Sequence, residues 1–498
     1  MEKVEQTYKL TEGWENARIQ DISVPSTKTN KSKTDITGDF YYIDVNSIDN
    51  NSFSIVNPQK YNWNTAPSRA QQIIKTNNIL IATVRPYLRN IAIVNEKYNK
   101  QVCSSAFCVI HPIIVNAKYV YYYVLSNQFI LSINKLAKGT SYPAVTNQIV
   151  LNQTIPLAPL LEQHRIVSKI ETLFSELEHA EKNLHETKKL LETYRQSLLK
   201  NVFNNSQGKA SKLGDNISKI SRTIKPNNKT EYKFIGLDSI NPGSTKLHLI
   251  YDFINFSSSG SYFSKGNLLY SRMRPNLNKV YKAEFEGVCS GEFFVIKCDD
   301  NLNADYLKYL LHSIEFVSYA TNKAKGDRPR LSYGDFASYE IKMVPITEQI
   351  QIVEELDNKF TLIDNVADTI DKCFKEIEFL RYSVLRKAFD GKLVNQEPTD
   401  EPVRKLLELI KKEKIEYLKN QKETLLQKPK RILQMDSNKT VWQILSSSKI
   451  AMRTEKLWSE SKHKDDIDAF YAEVKELIDS GKIVEDKRQG KVSYLKVK

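Results

Sequence analysis

The chain has 498 residues, 41% of them apolar, with 73 basic and 59 acidic side chains and a net charge of +14. That length calls for several domains with sizeable cores, and the positive balance suits an anionic partner, nucleic acid before membrane. No run approaches about 18 apolar residues, the start MEKVEQTYKLTEGWENARI lacks an apolar signal core, and five cysteines without a CxxC pair indicate neither a zinc site nor a disulfide framework, so a cytoplasmic protein with no membrane span is expected.

Residues 1–158 read as a first globular unit. Alternating patches predict short strands at 40–45 (FYYIDV), 78–84 (NILIATV), 91–95 (IAIVN) and 106–112 (AFCVIHP), between loops rich in Asn, Ser and Lys. The stretch 119–137 predicts one helix, 138–145 (KGTSYPAV) a loop, and QTIPLAP the last strand.

The pattern then changes to a long helix, 159–205. Its sequence from Pro159 to Phe203 returns from Pro345 to Phe389 without a gap, at an offset of 186. Pro159, Glu162, Gln163, Ile166, Val167, Phe174, Lys189, Glu192, Arg195, Ser197, Leu199 and Phe203 each meet an identical residue in the second copy. Apolar residues at 166, 170, 173, 177, 180, 184, 191, 194 and 198 form a heptad seam with a gap at Thr187. The second copy keeps the register at 352, 356, 363, 366, 370, 373, 377, 380 and 384, with a break at Lys359. About forty helical residues span roughly 60 Å, too long a seam for one helix to bury, so each copy is expected to pack on the other.

Residues 206–344 repeat the first unit in degenerate form. Residues 78–88 match 267–277, which pairs Arg85-Pro86 with Arg274-Pro275. Val102-Cys103-Ser104 and Phe107 match Val288-Cys289-Ser290 and Phe293, and Lys138-Gly139 and Pro143 match Lys325-Gly326 and Pro329. The helices keep register while the units keep only a strand scaffold. One scaffold with two loop sets predicts two surfaces with different targets; plain drift after duplication is the alternative.

The second long helix, 345–390, ends at Asp390-Gly391. A helical tail and basic linker follow (391–434), with Thr399 or Asp400 as cap, Pro402 in the first turn and the helix ending near Gln421. Residues 435–498 predict three helices and a hairpin around Gln489-Gly490, a winged-helix-like order that serves DNA or protein binding equally. The fold class expected is α+β: two pseudo-repeated α/β units, two long coiled-coil helices and a small winged-helix-like C-terminal domain.

Catalytic signatures are missing. There is no GxxxxGK[ST] loop, no GxGxxG turn after a strand, and the seven His do not cluster at metal spacing. No cofactor is expected on this chain. The polar loop residues suit DNA, because Arg meets phosphates and Arg, Asn and Tyr read base edges. The candidates are Arg85, Tyr87, Arg89, Asn90, Ser141 and Tyr142 in the first unit. In the second they are Arg272, Arg274, Asn276, Asn278, Lys279, Arg328 and Arg330. For Arg85 and Arg274, a strand-end Arg paired to a local carboxylate is the competing expectation; for Arg328 and Arg330 it is a solvated loop.

Two variable units, each followed by a long helix opening on Pro-x-x-Glu-Gln-x-x-Ile-Val, resemble the specificity subunit of type I restriction-modification enzymes. The matching residues are Pro159, Glu162, Gln163, Ile166 and Val167, and Pro345, Glu348, Gln349, Ile352 and Val353. The tail AFDGKLVNQEPTDEP also resembles that family, and the resemblance covers about residues 10–420. It implies two target-recognition domains that each read half of a split site on double-stranded DNA. The helices would pack antiparallel as a spacer of at most about 18 base pairs. It further implies two modification subunits that bind S-adenosylmethionine and methylate a flipped adenine, and a restriction subunit driven by ATP and Mg. Two other readings compete: a structural coiled-coil protein without sequence-selective binding, and an enzyme with a nuclease site near Asp465 and Asp466.

Overall fold

The computed structural model describes residues 10–32, 36–226, 231–427, 439–448, 451–486 and 494–498. Most of the expected basic linker and the hairpin tip at Gln489-Gly490 lie outside the described residues. The chain divides after Leu407 into two units, described separately below.

In the first globular unit, strand Glu15–Arg18 pairs antiparallel with Thr154–Leu157 and so ties its start to its end. A four-stranded sheet runs in the order Ile91–Ile93, Ile79–Ala82, Phe107–Pro112, Ser23–Val24. A five-stranded sheet runs Thr27–Lys28, Ala70–Ile73, Val102–Ser104, Phe40–Ile43, Gln59–Tyr61, with the third and fourth strands parallel. Ile43, Leu80, Val94, Cys103 and Phe107 are buried between the strands. The helix expected over 119–137 is two helices, α1 (Ala117–Leu125) and α2 (Asn127–Lys135), and α3 (Asn147–Leu151) follows. Ser126 makes the break: its hydroxyl accepts from the Phe129 N–H at 3.3 Å and caps α2.

The long helix α4 (Leu160–Asn205) leads into the second unit, which repeats these three sheets. Lys209–Lys212 pairs with Glu340–Met343. The four-stranded order is Val280–Lys282, Leu268–Ser271, Phe293–Cys298, Ile217–Ile220. The five-stranded order is Thr223–Ile224, Gly260–Phe263, Gly287–Cys289, Lys233–Ile235, Tyr251–Asp252, and the parallel pair recurs at the same place. Helices α5 (Ala304–Leu311), α6 (Ile314–Lys323) and α7 (Tyr333–Ala337) match α1 to α3, and Ser313 caps α6 as Ser126 caps α2. The second long helix is α8 (Ile346–Phe389).

Each long helix starts on its own unit and ends on the other. At the start of α4, buried Gln163 accepts from the Asn116 N–H at 3.0 Å and donates to the Ala158 carbonyl at 2.8 Å. Gln349 does the same on α8, with the Asn303 N–H at 2.8 Å and the Val344 carbonyl at 2.9 Å. About a third of the way along, Phe174 meets Tyr122 and Phe360 meets Tyr309. At the far ends the partners change units. Phe203 of α4 lies edge-on to Tyr306, and Phe389 of α8 edge-on to Tyr119 and Tyr123, with centroids 5.1–5.2 Å apart. The helix residues that make these joints are thus among those repeated at offset 186.

Between the joints α4 and α8 run antiparallel. Glu181 pairs with Arg381, Lys188 with Asp371 and Arg195 with Asp364, so partner numbers fall as α4 numbers rise. The inward row on α8 passes Leu356, Phe360, Ile363, Ile370 and Ile377. The expected seam is therefore half right. Its positions 356, 363, 370 and 377 are buried, but the alternating position is shifted by one, to Phe360 instead of Lys359. Tyr194, Val366 and Leu380, expected inside, are about half exposed. The globular units hold the helix ends, so the middle does not need a continuous apolar seam, and ion pairs fill part of it.

After α8 the chain turns at Gly391 in a left-handed conformation (φ +67), and the Lys392 N–H reaches back to the Lys387 carbonyl at 2.8 Å. Thr11 packs against this glycine and its hydroxyl donates to the Asp390 carbonyl at 3.1 Å. Asp400 is not a helix cap: it accepts from Arg165 at 3.0 Å with Nη1 and 2.5 Å with Nη2. The Arg165 guanidinium holds its carboxyl below the usual range. The tail helix α9 spans Val403–Gln427.

In the C-terminal unit, helices α10 (Val441–Ser447), α11 (Thr454–Glu460) and α12 (Ile467–Asp479) pack with an antiparallel sheet ordered Met452–Arg453, Tyr494–Val497, Ile483–Asp486. Leu445, Leu457, Phe470 and Leu495 form its core. Asp466 caps α12, accepting from the Ala469 N–H at 3.0 Å. Replacing Phe389 by Ala removes a buried ring from two aromatic contacts and is expected to cost about 3 kcal/mol in denaturant unfolding. Phe203→Ala, where the ring is only half buried, is expected to cost roughly half as much.

Candidate nucleic-acid interface

The two Arg-Pro segments fold into the same strained tip. A short 3₁₀ turn covers Pro86–Leu88 in one unit and Pro275–Leu277 in the other. The residue on each side is left-handed: Arg85 (φ +50) and Arg89 (φ +55), Arg274 (φ +52) and Asn278 (φ +41). A non-glycine residue rarely adopts this backbone, least of all before proline, and each instance costs about 1–3 kcal/mol.

A second loop holds each tip in place. The Arg85 N–H donates to the Pro143 carbonyl at 2.7 Å, and the Arg274 N–H donates to Pro329 at 2.7 Å. Within that loop Lys138 and Ala144 exchange two backbone bonds of 2.9 Å, and Lys325 and Arg330 exchange bonds of 3.1 and 3.0 Å. Gly139 (φ +105) and Gly326 (φ +95) supply the reversals, and a side chain on Gly139 would press on the Tyr142 carbonyl. The first loop displays Ser141 and Tyr142; the second is one residue shorter and displays Arg328.

The thirteen candidates divide by where their side chains go. Tyr87, Ser141, Tyr142, Arg274, Asn276 and Arg328 are exposed. Arg85 lays its guanidinium over the Tyr142 ring, 4.3 Å from the centroid. Asn90 is half exposed, and its carbonyl accepts from the Ala82 N–H at 3.0 Å. Three face inward. Arg89 bonds Asn127 and lies 5.0 Å over Tyr382 of α8. Asn278 is buried and donates to His312 at 3.2 Å, where burial pushes the imidazole down to about 4 and keeps it neutral. Lys279 donates to the Leu237 carbonyl at 2.6 Å, and burial lowers its pKa.

The local-carboxylate pairing expected for Arg85 and Arg274 occurs elsewhere. Among the described residues neither has an acidic partner, whereas Arg272 and Arg330 both bond Glu292, at 3.2 and 2.8 Å. Hydrogen bonds from Arg330 and then Arg272 hold the Glu292 carboxyl below its usual range. Glu292 was not a sequence candidate. Its signal was a charged residue directly before Phe293, where the first unit has Ala106 before Phe107. Also missed is a cleft of about 500 Å³ in the first unit, bordered by Tyr42, Asp44, Asn46, Asn57 and Arg69. No cluster of His, Cys, Asp or Glu among the described residues could hold a metal, and no described helix is long and apolar enough to cross a membrane.

Two stretches of the chain, residues 11–186 and 207–372, match the type I restriction modification DNA specificity domain. Among curated relatives, the specificity subunit of the type I restriction enzyme EcoDI of Escherichia coli is 21% identical over 332 residues, 59% of this chain and 74% of that protein. The StySPI specificity subunit of Salmonella potsdam is 21% identical over 443 residues, 79% of this chain and 92% of that one. Two solved structures are similar. One, from work on complex assembly and conformational transition of the type I system, has a TM-score of 0.68 at 26% identity, covering 77% of this chain and 100% of that chain. The HsdS subunit of Thermoanaerobacter tengcongensis has a TM-score of 0.53 at 26% identity, covering 78% and 99%. The doubled family match falls on the doubled unit-and-helix fold, and the chain belongs to the type I restriction-modification DNA specificity subunits.

Proposed function

We propose that each globular unit reads one half of a bipartite DNA site and that α4 and α8 fix the distance between the halves. One observation carries this reading: a single strained backbone frame is built twice and dressed with different exposed side chains. Retaining about 1–3 kcal/mol of strain in both copies supports a working tip in each. Arg85, Tyr87, Ser141 and Tyr142 serve one half-site; Arg274, Asn276 and Arg328 serve the other. A scaffold-only role gives no account of the paired tips.

The outer faces of the helices support docking of other subunits. Tyr194 and Leu380 occupy equivalent positions and are about half exposed, and Leu190, Leu362 and Phe379 are more than 60% exposed. Apolar surface of this kind marks association. The partners are two modification subunits, which carry S-adenosylmethionine and the methylation chemistry, and a restriction subunit that uses ATP and Mg. This chain contributes recognition and no catalysis. We read the C-terminal unit as a winged-helix-like module that meets protein. Its helix α12 bears Asp468, Glu473, Glu476 and Asp479 against a single Lys475, a balance that repels phosphate.

Co-expressed with its modification subunit in a host lacking other adenine methylation, the chain should direct one bipartite motif with a fixed unspecified spacer. Long-read methylation sequencing reads this directly, and a continuous motif would mean that only one unit reads DNA. Replacing Arg274 and Arg328 together by Ala should weaken DNA binding and lower the slope of log K against log salt by about 2, measured by titration at several salt concentrations.

A further inference from the structure

The second unit carries a charged triad that the first lacks, on the same backbone. In the first unit the Thr83 N–H donates to the Ala106 carbonyl and the Val145 N–H to the Thr83 carbonyl, both at 2.9 Å. In the second the Arg272 N–H donates to Glu292 and the Leu331 N–H to Arg272, again both at 2.9 Å. These bonds equate Thr83 with Arg272 and Ala106 with Glu292. One residue before Val145 and Leu331, they equate Ala144 with Arg330. Three small neutral side chains in one unit stand where the other has Arg, Glu and Arg.

The triad has a defined geometry. Glu292 Oε1 accepts from Arg330 Nη2 at 2.8 Å and Nε at 3.1 Å, and Oε2 accepts from Arg272 Nε at 3.2 Å. Arg330 also donates from Nη1 to the Arg328 carbonyl at 3.3 Å, so its polar edge is largely used. Arg272 uses Nε alone. Neither of its Nη groups donates to any described residue, and its side chain is 35% exposed. A guanidinium gripped at Nε leaves its terminal amino groups as a planar fork of fixed direction. That fork matches O6 and N7 of guanine in the major groove. Because the side chain is already ordered, little conformational entropy remains to be lost on binding. A phosphate contact needs no such bracing, and the unbraced Arg274 and Arg328 suit it.

We infer that Arg272 reads a G·C pair in the second unit's half-site, with Glu292 as the positioning residue that aims it. The first unit makes no charged contact at the corresponding spot. This rests on the bipartite reading above. The test is long-read methylation sequencing of the complex with its modification subunit, comparing wild type with Glu292→Gln and Arg272→Lys. In the wild type, one half-site should contain a G·C pair that both variants relax. Discrimination against other pairs there should fall about tenfold or more, while the other half-site and the spacer stay unchanged. An unchanged motif in both variants overturns the inference. So does an even loss of methylation at all sites, which is the mark of a phosphate contact. If Glu292→Gln fails to assemble, Arg272→Lys decides alone, because it keeps the charge beside Glu292 and loses only the fork. A wild-type motif that is not bipartite rejects the underlying reading instead.

Discussion

The structure depends on an exchange of helix ends. Each long helix is anchored at its start by a buried glutamine of its own unit and at its finish by an aromatic contact in the other unit. The glutamines are the decisive groups, because their buried amides bridge backbone groups of the unit at the helix start, two for Gln163 and three for Gln349. With both ends fixed, the separation of the units is set by helix length, and an α-helix is stiff and of known rise. The middle of the helix pair is then free to carry partly exposed ion pairs between the helices and apolar groups outside. A seam optimised only for mutual burial would have hidden Tyr194 and Leu380.

The same division of labour appears at the tips. Backbone hydrogen bonds, prolines and glycines build the frame, and these are alike in the two copies. Side chains give each copy its character. In the first, Arg85 rests on Tyr142, an aromatic and cationic surface; in the second, Glu292 bonds two arginines at once. Specificity can therefore change through a few residues while the core of Leu80, Phe107, Leu269 and Phe293 stays as it is.

Much of this was legible in the sequence because the duplication acts as an internal alignment. Two copies at offset 186 expose Gln163, Phe174 and Phe203, which sit at joints, and Arg195, which pairs with Asp364 between them. The strand scaffold was legible where short apolar runs stand between polar loops, as at 79–82 and 107–112. What was missed has physical causes. Ser126 breaks a helix by capping the next one, inside an otherwise apolar run. The heptad shows a break at Lys359 because it counts spacing alone, whereas the helix turns Phe360 inward against Tyr309. Glu292 was invisible because its role exists only when three distant segments meet. Most of the thirteen tip and loop candidates face outward or line the frame, yet spacing alone could not tell braced from free.

The contact between Thr11 and Asp390, residues 379 apart in sequence, bears on how the chain is made. The first unit emerges first from the ribosome, but it cannot finish first. Tyr119 and Tyr123 wait for Phe389, Arg165 waits for Asp400, and Trp14 is sealed against Glu162 beneath that returning tail. The second unit meets both of its helices sooner, since Phe203 precedes Tyr306 and Gln349 follows soon after. Closure of the first unit is thus the last event of synthesis for this part of the chain. A truncated product, stopped before residue 389, would leave its aromatic surface uncovered and open to aggregation.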